Sequence, residues 1–154
     1  MKNLLKMTAI AALTFTSISA FAASQQAEEV KKFQAWEETA SKKLEASFDA
    51  VGAASATSNA TETEAAVAAF DKQAAENVAE LEALGIKSEE VSPLVSMYKE
   101  YVDAEKEVVQ LILSQVKSPS LDNAGKVPEA VAKAKDDAID KLADQLEEKF
   151  PAEE

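Results

Sequence analysis

Apolar side chains in this chain recur every three or four residues and nowhere alternate one by one, so the backbone they specify is helical rather than extended. Four alanine-rich stretches carry the pattern, and each ends in recognisable punctuation. The first covers residues 25–52, with Val30, Phe33, Ala40, Leu44 and Val51 on one stripe and Trp36 and Phe48 at its edges. Glu28 and Glu38 each precede a lysine, Lys32 and Lys42, by four residues, which supports an exposed helical face. Residues 55–61 are small and polar and predict a loop. Thr61-Glu62-Thr63-Glu64 then reads as a capping box for a second helix that turns Val67, Phe70, Ala74, Val78, Leu81 and Leu84 inward.

Gly85 followed by Ile86 predicts the end of that helix through a left-handed cap. Ser92-Pro93 predicts a third helix, with an N-cap hydroxyl and a proline in the first turn, extending to about Lys117. Residues 118–125 form the clearest loop. Pro128 opens a fourth helix with Val131, Ala138, Leu142, Leu146 and Phe150 inward, and Pro151 stops it. A short loop cannot carry the chain back along a helix of roughly 35 Å, so consecutive helices must run antiparallel. The expected fold is all-α, an up-down-up-down antiparallel four-helix bundle.

The bundle pattern begins only after a segment of different character. Met1-Lys2-Asn3-Leu4-Leu5-Lys6 is positive, residues 7–18 are apolar and uncharged, and Ala20-Phe21-Ala22 supplies small residues in an A-x-A arrangement. These are the three parts of a secretory signal peptide, with cleavage after Ala22. The apolar part falls short of the roughly 20 residues a membrane-spanning helix needs. The expected organisation is a signal peptide over 1–22 and one domain over 23–154, delivered to the periplasm with no membrane contact in its mature form.

What remains is strongly acidic. The whole chain carries a formal charge of −12, and losing Lys2 and Lys6 takes it to −14, which disfavours nucleic acid and anionic membranes. All 16 basic residues are lysine, and histidine, cysteine and arginine are absent. The chain thereby lacks the usual general acid/base of neutral pH, the commonest metal ligands and the bidentate anion fork. No calcium loop and no Glu-x-x-His pair is present, so no catalytic residue, metal site or cofactor is assigned.

Two sets of residues stand out as candidates for binding. The third helix spreads its apolar residues over an arc of roughly 200°, about twice what an ordinary bundle helix needs. Burial by several neighbours would explain the arc. So would a surface on Val102, Val109, Leu113 and Val116 for a protein partner or for self-association. Trp36, Tyr98 and Tyr101 could instead line a pocket for a small apolar ligand between helices, where bundles place such sites, or serve as core aromatics with a wet polar tip. The second helix carries six acidic residues against Lys72 alone, either a solvated face or a dock for a basic partner. Asn59-Ala60-Thr61 matches a glycosylation sequon by composition only.

Asn123-Ala124-Gly125-Lys126-Val127-Pro128-Glu129-Ala130 resembles the approach to the last helix in cytochrome b562-type proteins. An exported acidic bundle is also similar in architecture to the cytochrome b562 and cytochrome c′ group. That resemblance implies a periplasmic four-helix bundle, but the histidine ligand and the C-x-x-C-H attachment that haem requires are missing, so no haem is expected. The leading expectation is a non-enzymatic protein that binds another protein, as a chaperone-like, inhibitory, immunity or structural factor. The small-ligand binder is the alternative. Intact mass of the protein recovered after export should correspond to a chain starting at Ala23, and a chain starting at Met1 would refute the signal peptide.

Overall fold

The computed structural model describes residues 20–119 and 128–151, with side chains described from residue 25 onward and, in the last helix, from residue 132. The predicted signal peptide up to residue 19 and the loop over 120–127 lie outside the described residues. Four helices follow in order: α1 (Ala20–Ala56), α2 (Ala60–Ala83), α3 (Ser92–Lys117) and α4 (Pro128–Lys149). No strand occurs among the described residues.

Cross-helix contacts fix the directions. Lys117 near the end of α3 pairs with Glu64 near the start of α2, and Lys99 near the start of α3 pairs with Glu82 near the end of α2. Lys135 of α4 reaches Glu100 of α3 at 2.7 Å, and Gln34 of α1 donates to Glu147 of α4 at 2.9 Å. The α2–α3 pairs join the start of each helix to the end of the other, Gln34 in the first half of α1 meets Glu147 at the end of α4, and the short turn over 57–59 folds α2 back along α1, so the bundle runs up, down, up, down. α1 packs along α2 and α3 along α4, α2 also meets α3, and α1 meets α3 and α4 over narrower seams. Among the described residues α2 and α4 do not touch. The cross-section is therefore a rhombus with α1 and α3 on its short diagonal.

That arrangement accounts for the wide apolar arc of α3, which faces all three other helices. Leu94, Tyr98, Tyr101, Val102, Ala104, Val108 and Val109 are buried. The stripe read for α1 is buried throughout, from Val30 and Phe33 through Ala40 and Leu44 to Val51. In α2, Val67, Phe70, Ala74 and Leu81 are buried as expected, while Val78 and Leu84 are half-buried.

Several local expectations are corrected. The turn between α1 and α2 needs only Thr57, Ser58 and Asn59, with Ser58 at φ +55°. Asn59, not Thr61, caps α2: its Oδ1 accepts from the backbone N–H of Thr61 at 3.1 Å and of Glu62 at 3.3 Å. Asparagine is among the strongest N-caps, and it wins over the threonine two residues later. Ser92 makes no cap bond and donates instead to the Glu89 carbonyl at 3.3 Å, with Pro93 inside the first turn. Gly85 does adopt the left-handed conformation, at φ +67°, behind the end of α2.

The inward stripe of α4 is displaced by one residue. Ala132, Ile139, Ala143, Leu146 and Phe150 are buried, Leu142 is half-buried, Ala138 is exposed, and the side chain of Val131 lies outside those described. The two stripes share Leu142, Leu146 and Phe150, and packing on α3 selects the one that buries Ile139.

Two polar side chains are fully buried in α2. Thr63 donates to the Asn59 carbonyl at 2.9 Å. Asn77 donates to the Ala40 carbonyl of α1 at 2.9 Å and to the Tyr98 hydroxyl of α3 at 3.1 Å, and accepts from Gln73 at 2.9 Å. Replacing Asn77 by alanine leaves the Tyr98 hydroxyl without this partner, and the expected cost is about 2–3 kcal/mol. Urea unfolding should show this as a lower midpoint with an unchanged slope, and an unchanged midpoint would refute the bridge.

Candidate functional site

The residues with the most unusual surroundings cluster where α1, α3 and α4 meet. Trp36 of α1 stands edge-on to Tyr98 of α3, with ring centroids 4.6 Å apart, and Tyr98 in turn meets Tyr101 at 5.8 Å. The three aromatic residues singled out from sequence are thus brought together, ring on ring. Trp36 Nε1 is buried and has no hydrogen-bond acceptor. The next residue along α1, Glu37, is only 7% exposed and accepts from Ser41 Oγ at 2.7 Å. Asp136 and Asp140 on α4 are half-buried nearby.

Burial holds the Glu37 carboxyl above the ordinary carboxylate range, and the negative charges of Asp140 and Asp136 push it in the same direction despite the Ser41 bond. Asp136 and Asp140 are raised too, first by burial and then by neighbouring aspartates. Tyr98 and Tyr101 are likewise raised well beyond a free phenol, chiefly by burial. Among the described residues no set of carboxylates is disposed to hold a metal ion.

A second polar centre holds the N-terminal part of α1. Glu29 is 5% exposed, and its carboxylate accepts from the backbone N–H groups of Lys87 at 3.2 Å and Ser88 at 3.1 Å, from Ser88 Oγ, and from Gln25 at 3.2 Å. Burial raises its pKa, but these bonds outweigh it and the carboxyl lies below its usual value. Gln26 donates to Glu90 at 2.7 Å while its own Oε1 is buried without a donor. Together Gln26 and Glu29 pin the α2–α3 loop to the first turns of α1.

Of the four residues read as a partner surface, Val102 and Val109 lie in the core, Val109 at 0% exposure. Leu113 packs against the core while half-exposed, and Val116 is half-exposed. All six residues over 111–116, including Leu111 and Ile112, are only half-buried. A groove of about 390 Å³ opens between α2 and α3, floored by Ala75, Val78 and Ala79 and edged by Glu82, Lys99, Asp103 and Lys106; none of the three aromatic candidates lines it. The acidic face of α2 is largely engaged in ion pairs, Glu64 with Lys117, Glu76 with Lys72, Glu80 with Lys43 and Glu82 with Lys99.

A family model described as "Uncharacterised lipoprotein PM1805" matches residues 27–151, which takes in nearly all of the bundle from α1 to the end of α4. The chain belongs to this lipoprotein family. No curated protein and no solved structure matches it. Membership makes an address beyond the cytoplasm plausible. Thiol-linked lipid attachment needs a cysteine, and these 154 residues contain none. No described helix is long and apolar enough to cross a membrane.

The two tyrosines are the chain's only ones, which makes the central cluster directly observable. Both phenols are raised in the folded state, so the stability they contribute is complete below the unfolded value of about 10 and is lost as pH rises toward the folded values. Absorbance at 295 nm should stay flat through pH 10 and then rise together with loss of the helical circular dichroism signal, whereas in urea both should titrate near 10. Phenolate absorbance at pH 10 with the helices intact would contradict the buried arrangement.

Proposed function

We propose that this member of the lipoprotein family is exported to the periplasm and acts there without catalysis, by binding another protein through the C-terminal end of α3. The observation that carries the reading is the exposure pattern of α3. Along 94–109 buried and exposed residues follow the turn of the helix, but over 111–116 Leu111, Ile112, Leu113 and Val116 are all half-exposed. Leu113 and Val116, three residues apart on one face of the helix, give a small apolar patch that a partner could cover. The composition points the same way, because a chain without histidine, cysteine or arginine has few groups suited to catalysis near neutral pH.

A small apolar ligand among Trp36, Tyr98 and Tyr101 is the second reading. Its support is the buried Trp36 N–H, which a ligand oxygen could accept. The close contacts among the three rings weigh against it, since a ligand would have to part them. A co-purified molecule in a native mass spectrum would favour this reading over the first.

Crosslinking capture from periplasm with paired variants tests the protein-binding reading. Leu113→Asp combined with Val116→Asp should remain helical and cooperative and lose the captured partner. Val109→Asp should unfold the bundle, because it forces an unpaired carboxylate into a fully buried position at a cost of several kcal/mol. A folded Leu113/Val116 double variant that captures the same protein as the wild type would exclude the end of α3 as the working surface.

A further inference from the structure

We propose that the α1–α4 seam is an acid-tightened joint, in which like charges facing one another across the seam loosen α4 at neutral pH and let it dock firmly as pH falls. The register of the seam is set by Gln34 of α1, which donates to Glu147 of α4. In an antiparallel pair, one turn forward on α1 lies opposite one turn back on α4, so Glu37 meets the turn that carries Asp140 and Asp144, with Asp136 one turn beyond. Glu37 is almost fully buried there, and Asp136 and Asp140 are half-buried.

Among the described residues no lysine lies within ion-pair distance of Glu37, Asp136 or Asp140: Lys42 is taken by Glu38 and Lys135 by Glu100. From α1 the seam receives Glu37 and the Ser41 hydroxyl, from α4 Asp136 and Asp140 with the exposed Asp137 and Asp144 flanking them on their own helix, and from α3 the neutral Tyr98 and Tyr101 with Glu105 beside them. α4 leans chiefly on α3 and meets α1 over a narrow contact, so repulsion at that contact has little apolar burial opposing it.

The direction of the effect follows from linkage. The folded seam holds the Glu37, Asp136 and Asp140 protons more tightly than the unfolded chain does, so its contribution to stability is complete below the ordinary carboxylate values and is lost as pH rises through the folded ones. Glu29 runs the other way: its contribution is present above its ordinary value and is lost as pH falls through the lowered folded one. The two groups act in different pH windows and at different seams, one between α1 and α4 and the other between α1 and the α2–α3 loop.

Amide hydrogen exchange on the intact bundle, expressed as protection factors so that intrinsic pH dependence cancels, reads the joint directly. Protection over 132–149 should rise from pH 7.5 to pH 5, while protection over 63–81 changes less. Glu37→Gln should raise α4 protection at pH 7.5 and flatten its pH dependence, and Asp140→Asn should do the same in smaller measure. Protection in α4 that tracks α2 at both pH values would overturn the proposal, as would unaltered α4 protection in Glu37→Gln. A Glu37→Gln chain that fails to fold would overturn it too, since removing a repelling charge cannot unfold a seam which that charge weakens.

Discussion

One carboxamide joins three of the four helices. Asn77, fully buried on α2, reaches the backbone of α1 at Ala40 and the hydroxyl of Tyr98 on α3. A carbonyl inside a helix already accepts one bond from its own chain, and its second lone pair is reachable only where the neighbouring helix comes close. Ala40 and Ala74, both at 0% exposure, permit that approach. Alanine-rich stripes slide past one another with little change in buried area. A polar group with fixed partners selects one register, because every other register leaves it buried and unbonded.

The acidic residues divide into two populations around this centre. Those of α2 are mostly matched by lysines from α1, α3 or α2 itself, in exposed pairs that are each worth little but keep the face locally balanced. In the α1–α4 seam no lysine among the described residues pairs with Glu37, Asp136 or Asp140, and there burial and like charge act together on all three. Glu29 shows the contrasting solution to a nearly buried carboxylate, in which backbone and hydroxyl donors from the α2–α3 loop satisfy it. The same residue type thus clamps one end of α1 and strains its middle, and the difference lies in the donors present.

The family match and the architecture complement each other. The match spans the bundle and labels it a lipoprotein, which speaks to address rather than activity. The architecture buries Val102 and Val109, two of the four α3 residues that sequence alone offers as a partner surface, and leaves the apolar excess at the far end of the helix. Any partner surface on α3 is consequently smaller than its apolar arc suggests, since most of that arc serves to face three neighbours at once.

Helical periodicity, the four-helix count and the antiparallel order were legible in the chain because they follow from local spacing and loop length: the stripe from Val30 to Val51, the Gly85 stop and the run to Lys117 need no knowledge of neighbours. The same holds for the gathering of Trp36, Tyr98 and Tyr101 as candidates, since aromatic residues are few. What a helix cannot announce is which partner its polar residues will meet. Asn77 reads as an ordinary surface residue until Ala40 and Tyr98 are placed beside it, Glu37 as one of many solvated carboxylates, and Ser88 as loop until Glu29 reaches it. On α4, where apolar residues are sparse, two stripes one residue apart share Leu142, Leu146 and Phe150, and only packing against α3 decides for Ile139 over Ala138. Spacing along a helix is determined by the chain itself, whereas burial is a relation between chain segments far apart in sequence, and only the tertiary structure sets it.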